Sequence, residues 1–95
     1  MKVEEIQSIL ELHKSELLAF GVQELLLFGS AARGEATAQS DLDLLVEMQD
    51  YSFQNFMDLK FALEDWFGKT VDLGTKAQLK SVLRDSVQKD LLRVA

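Results

Sequence analysis

The chain has 95 residues, of which 47% are hydrophobic and 27% charged, enough apolar material for one folded domain and too much for a disordered chain. Ten basic and 16 acidic side chains give a net charge of −6, which argues against direct binding to nucleic acid or to an anionic membrane. With no cysteine, the chain has no disulfide, no thiolate zinc site and no cysteine nucleophile. The sequence lacks a signal-peptide pattern and a long apolar run, so a soluble cytoplasmic domain spanning residues 1–95 is expected.

The first half of the chain predicts a helix followed by two strands. Apolar residues recur at helical spacing over residues 3–20, and Gly21 stands where a glycine commonly ends a helix. The segment of residues 24–28 is short and apolar, as in a strand covered on both faces. Residues 29–40 are small and polar, with room for one helical turn, and Leu42–Met48 predicts a second strand.

The second half predicts a helix, a strand and a last helix. Ser52 can cap a helix over Phe53–Phe67, which Gly68 would end. Residues 69–73 predict a third short strand, and Thr75 is a candidate cap for a last helix whose apolar stripe is Leu79, Val82, Leu83, Val87 and Leu91. This order predicts an α/β fold with a small three-stranded sheet flanked by about four helices.

The aromatic and histidine side chains of the helices have structural interpretations. His13 falls on the apolar stripe of the first helix, where a partly buried structural histidine is expected rather than a catalytic one. Trp66 and the phenylalanines of its helix are expected to lie in the core.

Three aspartates are the main candidates for chemistry. Asp41 and Asp43 are two residues apart, so on a strand they project from one face with Cα atoms about 6.6 Å apart. Carboxylates this close repel unless a cation lies between them, and the spacing suits one or two Mg²⁺ ions that also bind substrate phosphates. Asp72 lies inside the third predicted strand, where a charge is costly, and would complete a cluster of three if that strand lies beside Leu42–Met48. Taken alone, Asp41 is also compatible with a strand-start or turn residue.

The segment between the first two strands supplies candidate phosphate contacts. Gly29 allows a phosphate to approach the backbone closely, and Ser30 offers a hydroxyl and an N–H to its oxygens. Arg33 is the nearest cation in sequence, and it is compatible both with a phosphate contact and with a salt bridge that ties the loop to the domain.

These motifs combine into a specific pattern, in which Gly29-Ser30 is followed by ten residues and then by Asp41-x-Asp43. The pattern resembles the signature of the polymerase-beta-like nucleotidyltransferase superfamily. The residues from Phe28 to Gly34 and from Ser40 to Glu47 resemble its minimal nucleotidyltransferase (MNT) branch, and residues 71–73 resemble the segment with the third acidic residue. The resemblance implies a nucleotidyltransferase core with a mixed sheet.

The resemblance also implies an activity and a set of roles. The reaction would be Mg²⁺-dependent transfer of AMP from ATP, with Asp41 and Asp43 binding two Mg²⁺ ions and Asp72 as the third carboxylate. Gly29 and Ser30 would hold the nucleotide phosphates.

The partner is implied in the same way. The catalytic core takes up all 95 residues, so a separate protein is expected to present the acceptor hydroxyl. In the MNT branch that partner is a HEPN-domain ribonuclease toxin, modified on a tyrosine and bound to its MNT antitoxin as a hetero-oligomer. The alternative is an inactive antitoxin that neutralises the toxin by stoichiometric binding. Retention of all three aspartates favours the enzyme, because clustered like charges do not help a pure binder.

Overall fold

A computed structural model describes residues 1–32, 34, 41–75 and 91–95 of the chain. The elements in chain order are helices and strands with these bounds: α1 (Val3–Leu12), α2 (Lys14–Ala19), β1 (Val22–Phe28), α3 (Gly29–Ala32), β2 (Leu42–Met48), α4 (Phe53–Phe67), β3 (Val71–Thr75) and β4 (Leu92–Arg93).

The sheet is mixed, as expected, with the strand order β3-β2-β1-β4. β1 pairs antiparallel with β2 and with β4, whereas β2 and β3 run parallel. The prediction of three strands was wrong, because four are present in the described ranges. The added strand forms where the end of the chain pairs with the outer edge of β1: the Leu25 N–H donates to the Ala95 carbonyl and the Val94 N–H to the Leu25 carbonyl, both at 2.9 Å.

The predicted last helix falls mostly on residues 76–90, which lie outside the described residues. At the far end the structure differs from the prediction, because Leu91 is not helical. Thr75 is the last residue of β3, and its role as a cap stays a prediction because the residues that it would cap are outside the described ones.

The first predicted helix is divided into two at His13, which was not expected. The His13 imidazole stacks on the Trp66 indole, with ring centroids 4.1 Å apart and planes inclined by 6°, and its Nδ1 hydrogen-bonds to the Glu16 carboxylate. His13 is half-buried, as the structural interpretation predicted. Because Trp66 belongs to α4, this stack fastens the junction of α1 and α2 to α4.

Helix α4 has the predicted bounds and caps. The Ser52 hydroxyl accepts from the Asn55 N–H, and Gly68 ends the helix with a left-handed φ of +64°. The expectation that all its phenylalanines are core was wrong, since Phe53 and Phe61 are 80% and 56% exposed. The buried stripe of α4 is Leu59, Leu63 and Phe67. Phe61 is two residues from its nearest members and so lies about 200° around the helix from them.

One face of the sheet is buried in the main core, which collects apolar residues from nearly the whole length of the chain. Its buried members are Ile6, Leu10, Leu17, Val22, Leu25, Leu27, Leu42, Leu44, Val46, Met48, Leu59, Leu63, Phe67, Val71, Leu73 and Val94. On β1 the residues that point to the opposite face, Leu26 and Phe28, are only half-buried. The strand was expected to be covered on both faces, and only one of its faces is fully covered. Within the described ranges, no helix is long and apolar enough to cross a membrane.

Candidate functional site

Two of the predicted site aspartates face each other across neighbouring strands. β3 lies parallel to β2 with Asp72 opposite Asp43, which is the adjacency required for an acidic cluster. Neighbouring strands are about 4.8 Å apart, so the two backbones hold these residues close together. The flanking pair, Leu42 opposite Val71, is fully buried. A slip of one residue would exchange the apolar and acidic faces of a strand, and burial of this pair therefore fixes the register of the aspartates.

The third aspartate, Asp41, lies close to Asp43 in the chain, at the residue before β2. Asp41 directly precedes β2 and is exposed, as is Asp72, while Asp43 is half-buried. The pKa of Asp43 is raised, first by burial of its carboxyl group and then by the negative charges of Asp72 and Asp41. All the influences on Asp43 act in the same direction, so the ionised cluster is unfavourable without a compensating charge.

The turn from β1 into α3 lies directly against the Asp43 carboxylate. Phe28, the last residue of β1, is opposite Asp43, and Gly29 follows with a φ of +74°. A Cβ atom at Gly29 would lie 2.6 Å from Asp43 Oδ2, so a side chain here would force the carboxylate or the turn to shift. Glycine is therefore favoured here both by its backbone conformation and by the space that the carboxylate occupies.

The two remaining predicted residues, Ser30 and Arg33, come after this turn in the chain. Ser30 is the second residue of α3, so its backbone is adjacent to the Gly29 contact with Asp43. Arg33 lies outside the described residues, and its two interpretations both stay predictions. The structure thus brings Gly29, Asp43 and Asp72 to one point, with Asp41 and Ser30 next to it in the chain.

The donor set fits Mg²⁺ shared with a phosphate substrate better than a closed metal cage. Among the described residues, no three acidic or histidine side chains converge to form a preformed metal site. Mg²⁺ is commonly bound by one or two carboxylates together with water and substrate phosphates. A half-buried carboxylate with a raised pKa, two acidic neighbours and a glycine backbone beside it provides that combination.

Glu64 contacts the strand next to the site, although no pattern in the sequence indicates this. Its carboxylate, on α4, accepts a hydrogen bond at 3.0 Å from the N–H of Val71, the residue directly before Asp72. Its spacing from Lys60 suggests only an ordinary helical ion pair, which is present at 3.0 Å. The contact with β3 depends on the α4–β3 connection and could not be inferred from spacing.

Comparison with known proteins places these features in context. Residues 6–94 match the nucleotidyltransferase domain family. The chain is 43% identical over 96 residues to the protein adenylyltransferase MntA of Thermococcus cleftensis, covering 99% of this chain and 97% of that protein.

Two solved structures are similar in fold. One, provisionally named a minimal nucleotidyltransferase, has a TM-score of 0.77 and 34% identity, covering 97% of this chain and 95% of the other. The second is a toxin–antitoxin crystal structure with AMP-PNP, with a TM-score of 0.68 and 25% identity, covering 90% of this chain and 72% of the other.

The contact between Gly29 and Asp43 predicts a specific loss of stability. Gly29→Ala should lower the free energy of unfolding by about 1–3 kcal/mol more than Gly68→Ala, because both place alanine in the left-handed region but only Gly29→Ala also meets a carboxylate. Urea unfolding of the two variants measures the difference. Equal losses would show that the Asp43 carboxylate or the β1–α3 turn moves aside without cost.

The raised pKa of Asp43 predicts how its replacement changes stability with pH. Above the raised pKa the ionised carboxylate opposes folding, and this penalty disappears as the pH falls through that pKa, since the folded protein then takes up the proton. Without metal, Asp43→Asn should be more stable than the wild type at neutral pH, and this advantage should shrink on acidification. Asp65→Asn, on the exposed side of α4, is the control. A variant that is less stable at every pH would make Asp43 a structural residue.

Proposed function

Because this chain belongs to the nucleotidyltransferase domain family, we propose that it is an antitoxin that transfers AMP from ATP to a hydroxyl group of a partner toxin. The observation that carries the proposal is the pairing of Asp43 with Asp72, with the Gly29 backbone against the Asp43 carboxylate. This arrangement combines concentrated negative charge with a backbone segment that a phosphate can approach. Nucleotidyl transfer needs both, because the protein contributes mainly positioning and charge stabilisation to such reactions.

Asp41, Asp43 and Asp72 would hold two Mg²⁺ ions. Bound Mg²⁺ would supply charge neutralisation on the triphosphate and activation of the acceptor hydroxyl. Asp43 lies on β2 and Asp41 directly precedes it, and these two would serve both ions, whereas Asp72 comes from the neighbouring strand and would serve the acceptor side.

The chain's other residues would orient the nucleotide. The backbone of Gly29 and Ser30 would receive the triphosphate oxygens, and Arg33 would add a positive charge. The acceptor oxygen attacks the α-phosphorus, a new oxygen–phosphorus bond forms, and the bond to the bridging oxygen breaks to release pyrophosphate. Asp72, placed on the acceptor side, would take up the proton of the acceptor hydroxyl.

The partner assignment has support from the relatives. The Thermococcus cleftensis relative is named a protein adenylyltransferase, and one similar structure is a toxin–antitoxin with AMP-PNP. We propose a HEPN-domain ribonuclease toxin as the acceptor and a tyrosine as the modified residue, in a hetero-oligomer formed in the cytoplasm. AMP on that tyrosine would add bulk and negative charge where RNA must bind. Residues 1–95 would act together as one catalytic domain.

Intact-mass analysis tests the proposal. The HEPN-domain protein is incubated with this chain, ATP and Mg²⁺, and its mass should increase by one or more AMP units only when all three are present. Asp43→Asn should reduce the rate at least about 100-fold because it removes a shared ligand, while Asp65→Asn should match the wild type. A partner that is inhibited at one-to-one stoichiometry without any gain in mass would establish the binding-only alternative.

A further inference from the structure

The start of β3 determines where the Asp72 carboxylate lies. The Leu42 N–H donates to the Thr70 carbonyl at 3.1 Å, which joins the beginning of β2 to the residue before β3. In a parallel ladder, alternate residues of a strand direct their backbone groups to the same neighbour. Thr70 and Asp72 therefore bond towards β2, and the Val71 N–H points away from it.

Glu64 binds the Val71 N–H from that outer side. Its Oε2 accepts from the Val71 N–H and from Lys60 Nζ, each at 3.0 Å. Its main-chain carbonyl also accepts from the Gly68 N–H at 2.8 Å, so Glu64 holds both ends of the connection between α4 and β3. The pKa of Glu64 is lowered, first by the Val71 N–H and then by Lys60, so both bonds favour the ionised carboxylate.

We infer that Glu64 is a positioning residue for nucleotidyl transfer, which holds β3 through the Val71 N–H so that Asp72 stays opposite Asp43. The inference rests on the proposed function. Glu64 belongs to α4, and it acts on the site only through the backbone of β3. The Val71 side chain is fully buried, so the strand is held from the core by that side chain and from its outer edge by Glu64.

The expected effect is on the chemical step rather than on nucleotide binding. Groups that orient a metal ligand commonly change activity 10- to 100-fold when they are removed. Glu64→Ala should lower kcat for AMP transfer about tenfold and change the KM for Mg²⁺-ATP less than about twofold, because Asp43 on β2 and Asp41 directly before it are undisturbed. Glu64→Gln retains an oxygen acceptor for the Val71 N–H and should recover most of the activity.

A double-mutant cycle with Asp72→Asn separates positioning from general damage. If Glu64 acts through Asp72, Glu64→Ala should have no further effect on kcat in the Asp72→Asn background. The neighbouring Asp65→Ala, which alters an exposed acid on the same helix, should match the wild type. Lys60→Met should retain most of the activity, since it removes the ion pair and keeps the bond to Val71.

Three results would overturn the inference: unchanged kcat in Glu64→Ala, a loss that adds fully to that of Asp72→Asn, or no recovery in Glu64→Gln. Amide hydrogen exchange at Val71 and Asp72 is measured on the same proteins and should be faster in Glu64→Ala than in Asp65→Ala. Equal exchange in the two variants would also overturn the inference. If the wild type transfers no AMP to the partner, the proposed function fails, while the exchange experiment still tests whether Glu64 holds β3.

Discussion

Repulsion among Asp41, Asp43 and Asp72 opposes folding, and the rest of the described structure must overcome it. The fold holds Asp43 half-buried and opposite Asp72, although both burial and the neighbouring charges raise its pKa. A protein selected only for stability would not keep this arrangement, because like charges on paired residues oppose folding. The arrangement is reasonable if a bound cation compensates the charge, and stability is then exchanged for function.

The rest of the fold keeps the aspartates in place against their repulsion. The apolar face of the sheet anchors β2 and β3 through Leu42 and Val71, both fully buried. Gly29 lets the β1–α3 turn approach the Asp43 carboxylate. Glu64 secures the outer edge of β3. Core, turn and helix thus act on one small group of carboxylates.

Features with a local cause could be predicted from the sequence. β2 and α4 have the predicted bounds because each depends on residues close together in the chain. β2 follows from its alternating apolar residues, and α4 follows from its serine cap and its terminal glycine. The three aspartates could be selected as candidates from the sequence, since two lie in alternation and the third is a charge inside an apolar strand, and their roles stay predictions. The sequence could not show that β3 lies beside β2, which is the condition for Asp43 and Asp72 to be close. The structure confirms that condition.

Features with a distant cause could not be predicted. The break at His13 accompanies a stack on Trp66, more than 50 residues away, and helical periodicity continues through it. β4 has two residues and depends on the free edge of β1, so it has no pattern of its own. Exposure of Phe61 depends on which face of α4 contacts the sheet, and the Glu64 contact depends on the α4–β3 connection.

The most direct test of the central claim is the effect of Mg²⁺ on thermal unfolding of the wild type and of Asp43→Asn. A ligand bound only by the folded state stabilises it by about 2.7 kcal/mol at 100 times its dissociation constant. Mg²⁺ should raise the Tm of the wild type, ATP with Mg²⁺ should raise it further, and Asp43→Asn should lose both gains. Asp65→Asn should respond as the wild type does. A wild-type Tm that does not change with Mg²⁺ and nucleotide, or an equal response from Asp43→Asn, would show that the aspartates do not bind the cation.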